Sequence, residues 1–141
     1  MKRAEQLREL SREHNAVLVL ARTARRAASE GDPLEVRACW EQLAENFDAE
    51  IRSHFATEER LIIPLLARVG EAWLAGRLLR EHRAIRRAIE DRSRWSRARL
   101  VAVADVLRTH VRREERQAFP LVERHADAAT LKALLADHAS T

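Results

Sequence analysis

Apolar residues recur at every third or fourth position along four long stretches of the chain, which is the spacing of amphipathic helices. The predicted helices cover residues 4–29, 33–63, 71–92 and 96–119. Asp32 and Pro33 are typical of a helix start, and they separate the first two helices. Pro64 is expected to kink or end the second helix, and a last, shorter helix is expected after Asp127.

The connections between these helices are short, which favours antiparallel neighbours. The predicted fold class is therefore all-α, as an up-down-up-down four-helix bundle with a short extra C-terminal helix. At 141 residues the chain is expected to form a single domain over residues 1–141. The composition agrees with this prediction, since aromatic residues make up only 4%, Tyr is absent, and Gly and Pro number three each.

The charge pattern indicates solvated helix faces. The net charge is +4, and Lys occurs only at Lys2 and Lys132, so the basic residues are almost all Arg. These Arg residues are spread along every segment and alternate with Glu and Asp, as they do where i,i+4 ion pairs form. The densest basic run, RSRWSRAR at 92–99, lies between two predicted helices and contains one aromatic residue. We therefore expect no nucleic-acid partner.

The cysteine content and the hydropathy of the chain point to a compartment. Cys39 is the single cysteine, which excludes an internal disulfide and fits a reducing environment. No stretch approaches the length of a membrane span, and the N-terminal MKRAEQLREL lacks the apolar core of a signal peptide. We expect a cytoplasmic protein without a membrane partner, and the pattern predicts no particular oligomeric state.

Each of the four long predicted helices carries one His in the register of its apolar stripe, and two helices add a Glu one turn later. These two His–Glu pairs belong to an eleven-residue phrase that occurs twice, as HFATEERLIIP at 54–64 and HVRREERQAFP at 110–120. The six residues are His14, His54, Glu58, His82, His110 and Glu114. A single His on an apolar face is usually a core residue with a hydrogen-bonded partner. Four together with two carboxylates indicate ligands for two transition-metal ions, because a metal-free core neutralises buried carboxylates only at high cost.

The spacing distinguishes this pattern from other metal sites. At i,i+4 a His and a Glu lie on nearly the same side of a helix, so the imidazole can bind one ion while the carboxylate reaches between two. Ferritin-like di-iron bundles use Glu-x-x-His instead. The residues three before the four His are Ser11, Ile51, Leu79 and Leu107. The H-E-x-x-H motif and cysteine clusters are absent too, which argues against zinc-protease and iron–sulfur sites.

Four short pieces of the sequence together resemble the hemerythrin-like, or HHE cation-binding, proteins over about residues 10–125. They are EH at 13–14, HFATEE at 54–59, EH at 81–82 and HVRREE at 110–115. The resemblance implies two Fe ions in an oxo- or hydroxo-bridged di-iron centre. The implied ligands are His14 and His54 for one iron, His82 and His110 for the other, and Glu58 and Glu114 as bridges. Glu115 is the alternative bridge, because oxygen carriers of this family tend to use a carboxylate five residues after the fourth-helix His.

The chain departs from the oxygen carriers of this family at one position. These carriers place an additional His one turn after the third-helix His, where this chain has Arg86. We expect Arg86 to pair with a carboxylate such as Glu114 or Glu90, or to point out of the bundle. The resemblance implies a protein that binds or reacts with a small ligand (O2, NO or peroxide) in sensing, stress defence or iron handling. The alternatives are a di-iron enzyme with peroxidase-like, catalase-like or NO-reducing activity, and a metal-stabilised helical interaction module.

Several residues near the motifs receive other roles. Four Glu residues next to the predicted ligands are expected at helix interfaces as hydrogen-bond partners of the imidazoles: Glu13, Glu59, Glu81 and Glu115. His125 and His138 lie outside the repeated phrase and are expected on the surface. The three tryptophans, Trp40, Trp73 and Trp95, are expected to pack the ends of the bundle.

Overall fold

The computed structural model describes residues 3–134 and residue 136, and none of these residues lies in a strand. Within the described residues the chain forms four long helices, α1 to α4, and a short one, α5. α1 is Arg8–Glu30, preceded by a 3-10 turn at Glu5–Leu7, α3 is Ala72–Glu90, and α5 is Ala128–Leu134. The prediction of an all-helical chain is confirmed, including the short helix after Asp127.

The second helix, α2, runs from residue 33 to residue 68 and changes its winding along the way. α-Helical segments Pro33–Asn46, Arg52–Thr57 and Ile63–Arg68 alternate with π-helical segments Phe47–Ile51 and Glu58–Ile62. The start is as predicted, because the side chain of Asp32 accepts a hydrogen bond from the backbone N–H of Glu35. The helix does not end at Pro64. It ends before Gly70, whose φ of 91° lies in the left-handed region that favours glycine.

The fourth helix, α4, covers residues 97–125 and repeats this behaviour. It consists of α-helical Arg97–Arg113, π-helical Glu114–Ala118 and α-helical Phe119–His125. The side chain of Ser96 caps its start by accepting a hydrogen bond from the N–H of Arg99. The predicted end at Phe119 is wrong, because the helix continues through Pro120 to His125.

A widened turn precedes each of these two prolines and explains how the helices continue. The N–H of Ile63 donates to the carbonyl of Glu58, and the N–H of Phe119 donates to the carbonyl of Glu114. Proline has no N–H, and its ring crowds the carbonyl four residues before it. A π turn at this place widens the helix just before the ring. In both copies of the repeated phrase a π segment therefore begins at a predicted metal ligand, Glu58 or Glu114, and a proline stands two residues after its end.

Each long helix contacts the next one in the sequence, and α1 also packs along α4. Among the described residues the buried apolar side chains form two clusters, one around Trp40, Phe47 and Leu107 and the other around Leu66 and Phe119. Along every long helix the buried residues change from one cluster to the other, and the predicted ligands lie at or beside this change. A polar layer therefore crosses the interior between two apolar regions.

Of the expectations for the tryptophans and the remaining histidines, the structure contradicts the one for Trp73. Trp40 and Trp95 stack with ring centroids 5.2 Å apart, as expected for residues that pack an end of the helices. The same expectation is wrong for Trp73, whose surface is 65% exposed. His125 is exposed as predicted, and His138 lies outside the described residues.

No helix within the described part of the chain is both long enough and apolar enough to cross a membrane.

Candidate metal centre

The six predicted ligand residues all lie in the polar layer, and none of them is more than 3% exposed. α1 contributes His14, α2 contributes His54 and Glu58, α3 contributes His82, and α4 contributes His110 and Glu114. The imidazoles face one another in two pairs. Nε2 of His14 lies 3.1 Å from Nε2 of His54, and Nε2 of His82 lies 3.1 Å from Nε2 of His110.

The carboxylate of Glu58 spans both imidazole pairs. Its Oε2 lies 2.9 Å from Nε2 of His54 and 3.7 Å from Nε2 of His14. Its Oε1 lies 3.0 Å from Nε2 of His82 and 3.9 Å from Nε2 of His110. Each oxygen therefore belongs to one pair, which is the arrangement that a carboxylate shared by two metal ions requires.

The carboxylate of Glu114 also contacts both imidazole pairs. Its Oε1 is 2.8 Å from Nε2 of His14 and 3.2 Å from Nε2 of His110. Its Oε2 is buried and has no hydrogen-bond partner among the described residues. A buried carboxylate oxygen without a partner costs free energy unless a cation satisfies it. Glu114, and not Glu115, occupies the interior position between the pairs, since the side chain of Glu115 is 30% exposed.

The ligand atoms divide into two overlapping sets of four residues, and within each set they lie within 4.8 Å of one another. The first set is His14, His54, Glu58 and Glu114, and the second is His82, His110, Glu58 and Glu114. Each set offers two imidazole nitrogens and two carboxylate oxygens, a donor combination that suits divalent transition metals. The residues present, with the unpartnered oxygen of Glu114 among them, therefore fit two metal ions that share both carboxylates.

A second group of carboxylates holds the imidazoles from outside, as predicted. Nδ1–H of each imidazole donates to a Glu on another helix, at distances between 2.6 and 2.9 Å. The pairs are Glu13 with His54, Glu59 with His82, Glu81 with His110, and Glu115 with His14. Each long helix thus holds the imidazole of the next, and α4 holds that of α1, so the contacts form a closed ring. An Nδ1–H that donates outward leaves Nε2 for the interior.

The buried carboxylates change the protonation of the imidazoles. Burial by itself lowers the pKa of His54, but the charge of Glu58 and the hydrogen bonds to Glu13 and Glu58 outweigh it and raise this pKa to about 9. The pKa values of His14 and His110 are raised well above the usual value in the same way, against the effect of burial. Burial raises the pKa of Glu58, yet the neighbouring imidazoles lower it well below its usual value. A metal ion has to displace protons from these imidazoles to reach Nε2.

Arg86 pairs with neither of the carboxylates expected from the sequence. Its guanidinium lies 2.8 Å from Oε2 of Glu59 and over the ring of Phe55, at 5.5 Å from the ring centroid. Phe55 in turn stacks on His82 with ring centroids 3.8 Å apart. Arg86 thus lies outside the layer and contributes no ligand atom. Phe55 could not be singled out from the sequence, because an apolar residue after a core-facing His has the pattern of an ordinary core residue.

Comparison with known families finds one match that covers most of the chain. The model described as the hemerythrin HHE cation binding domain matches residues 5–99. The matched region contains His14, His54, Glu58 and His82, whereas His110 and Glu114 lie beyond it on α4. The chain matches no curated protein and no solved structure.

Proposed function

Because the chain belongs to the hemerythrin HHE cation-binding domain family, we propose that it is a non-haem di-iron protein that binds or reacts with O2, NO or peroxide. The observation that carries this proposal is the pair of overlapping two-His, two-Glu sets in the interior. Imidazole and carboxylate donors without sulfur suit iron in its common oxidation states. The one cysteine, Cys39, lies in an apolar cluster and in neither set.

We infer that the four long helices form an up-down-up-down four-helix bundle and that the chain is a single domain. The contacts of each long helix with the next, and of α1 with α4, support this arrangement. So does the composition of the site, because each of the four long helices supplies at least one of its side chains. A metal ion in each set would hold parts of three helices together.

Each group of residues has a separate task in the proposed function. His14 and His54 would hold one ion and His82 and His110 the other, while Glu58 and Glu114 would contact both. Bound iron would supply redox chemistry and a coordination position for the small ligand. The four outer carboxylates keep Nδ1 protonated and the rings oriented. The rings of Phe55 and Phe119 stack on two of the imidazoles and exclude water from their faces.

Iron titration of the metal-free protein tests the proposal directly. We expect the anaerobic protein to take up two ferrous ions per chain, as measured by elemental analysis after desalting. Glu58→Gln removes the carboxylate that spans both pairs and is expected to reduce uptake strongly. Glu50→Gln makes the same change at an exposed position of the same helix and is the matched control. Uptake of well under one ion per chain by the unaltered protein contradicts the proposal.

The position of Arg86 favours an enzyme as a second candidate, with peroxidase-like, catalase-like or NO-reducing activity. α3 supplies no second ligand, because Arg86 is directed to Glu59 and Phe55. The centre would then keep room for a reactive small molecule at the ion held by His82 and His110. Rapid mixing of the reduced protein with O2 or peroxide separates the two candidates. Fast oxidation without a long-lived adduct supports the enzyme, and a stable, reversible adduct supports the oxygen binder.

A further inference from the structure

Two of the four imidazoles carry the same group of side chains on their outer side. At His82 the group consists of the ring of Phe55, the carboxylate of Glu59 and the guanidinium of Arg86. Phe55 stacks on His82 with an interplanar angle of 10°. Oε2 of Glu59 accepts both from Nδ1–H of His82, at 2.6 Å, and from Arg86, at 2.8 Å. A single carboxylate oxygen thus contacts both the imidazole and the guanidinium, and Arg86 also lies over the Phe55 ring.

The group at His14 has the same three kinds of side chain, although the closest ion pair of its Arg, Arg3, is with Glu123 at 2.6 Å. Phe119 stacks on His14 with ring centroids 5.2 Å apart and an interplanar angle of 18°. Glu115 accepts from Nδ1–H of His14 at 2.6 Å. Arg3 lies 5.5 Å from the centroid of Phe119, donates to the backbone carbonyl of Glu115 at 2.8 Å, and contacts its carboxylate at 3.3 Å. The hydroxyl of Ser11 donates to the same carboxylate.

The duplicated phrase does not by itself produce these two groups. Phe55 directly follows the His of the first phrase, whereas Phe119 directly precedes the Pro of the second phrase. Arg86 lies on α3, one turn after His82, whereas Arg3 precedes α1. The same combination of Arg, Phe and Glu therefore arises twice from positions that are not equivalent in the sequence. This recurrence indicates that the site requires the combination, and that the combination is not simply inherited from the duplicated phrase.

The distribution of the groups over the site suggests what they do. His14 and His82 are the two imidazoles whose own helices supply no interior carboxylate, since Glu58 follows His54 and Glu114 follows His110. Each predicted metal ion therefore has one imidazole ligand with such a group on its outer side. Arginine cannot be a ligand itself, because its guanidinium stays protonated and has no free lone pair. It can hold a carboxylate and an aromatic ring in fixed positions.

We propose that Arg86 and Arg3 are positioning residues of the metal centre, each of which fixes the carboxylate and the aromatic ring that hold one imidazole. This inference rests on the proposed function only for its consequence on metal binding. Glu59 and Glu115 are partly exposed, and without its guanidinium partner each has more rotamers available in which the hydrogen bond to the imidazole is broken. Residues that orient a metal-binding His typically change metal affinity tenfold to a hundredfold when they are replaced.

The test uses Arg86→Gln, with Arg83→Gln as the control, because Arg83 is an exposed Arg on the same helix. The first readout needs no metal and is the exchange rate of the His82 Nδ1–H with water, measured by nuclear magnetic resonance on the protein treated with chelator. We expect Arg86→Gln to speed this exchange and Arg83→Gln to leave it unchanged, because loss of the guanidinium frees Glu59 to leave the imidazole. Arg86→Lys keeps the charge without the planar geometry and is expected to restore the rate only in part.

The second readout is iron affinity in a double-mutant cycle with Glu59→Gln. If Arg86 acts through Glu59, Arg86→Gln weakens iron binding about tenfold in the unaltered protein and has little further effect in the Glu59→Gln background. Equal losses in both backgrounds, or an unchanged exchange rate in Arg86→Gln, overturn the inference. If the unaltered protein binds no iron while the exchange rate responds as expected, the proposed function fails and the positioning role stands. Arg3→Gln and Arg8→Gln form the corresponding pair for His14.

Discussion

Raising the pH from 7 to 8.5 should tighten metal binding, because protons and metal ions compete for the same imidazole nitrogens. The pKa of His54 is raised to about 9, so at pH 7 its protonated form exceeds the neutral form about a hundredfold. Displacement of that proton costs about 3 kcal/mol at pH 7. Each proton released on binding makes the apparent affinity rise about tenfold per pH unit. The pKa values of His14 and His110 are raised as well. We therefore expect at least one proton to be released on binding, so that a plot of the logarithm of the apparent affinity against pH has a slope of at least one.

The affinity can be measured by competition with a chelator of known pH dependence, using zinc so that oxidation does not interfere. Calorimetry in two buffers with different ionisation enthalpies counts the released protons independently. Glu58→Gln is an informative variant, because the charge of Glu58 is the largest of the effects that raise the pKa of His54. This variant should bind more weakly and also show a shallower dependence on pH. An affinity that does not change between pH 7 and 8.5, with no protons released, would refute the reasoning.

Two further predictions concern stability. After metal removal the free energy of unfolding should fall as the pH rises from about 6.5 through about 9, because the raised pKa of His54 stabilises the folded state only while the imidazole is protonated. Chemical denaturation at several pH values checks this prediction. An increase in the free energy of unfolding over that range contradicts it. Arg97 donates to the carbonyls of Ala28 and Gly31 at the end of α1, so Arg97→Gln should lower the free energy of unfolding by about 1–2 kcal/mol, whereas Arg99→Gln, at an exposed position on the same helix, should have little effect.

The apolar periodicity was sufficient to place the predicted ligands in the interior. A helix has one face toward the core, and any residue in the register of that face is buried with it. His14, for example, falls between Leu10 and Val17 in the sequence, and all three are buried. The match of Glu114 with Glu58 in the repeated phrase favours Glu114 over Glu115 as the bridge, and in the structure Glu114 is buried whereas Glu115 is partly exposed.

Contacts between helices were harder to predict, because they depend on how each helix is rotated and on what its neighbour offers. For Arg86 the sequence leaves open a pairing with Glu114 or Glu90 and a position pointing out of the bundle, but the neighbouring α2 presents Glu59 to it. The helix ends were missed for a different reason. Proline disfavours a helix interior by itself, yet the π turn before Pro64 and the burial of Leu65 and Leu66 after it keep α2 helical. Packing of this kind is not visible in local sequence preferences.

The closed ring of outer carboxylates also bears on how the helices are aligned along their length. An apolar stripe tolerates a shift of one helix by a full turn, since one buried leucine can replace another. The ring does not, because such a shift of α3 alone would separate Glu59 from His82 and Glu81 from His110 at once. Two of the four contacts join helices of the same half of the sequence, α1 with α2 and α3 with α4. The other two join the halves, α2 with α3 and α4 with α1. The polar layer thus defines a single axial register, in which the carboxylates and imidazoles can meet before any ion is bound.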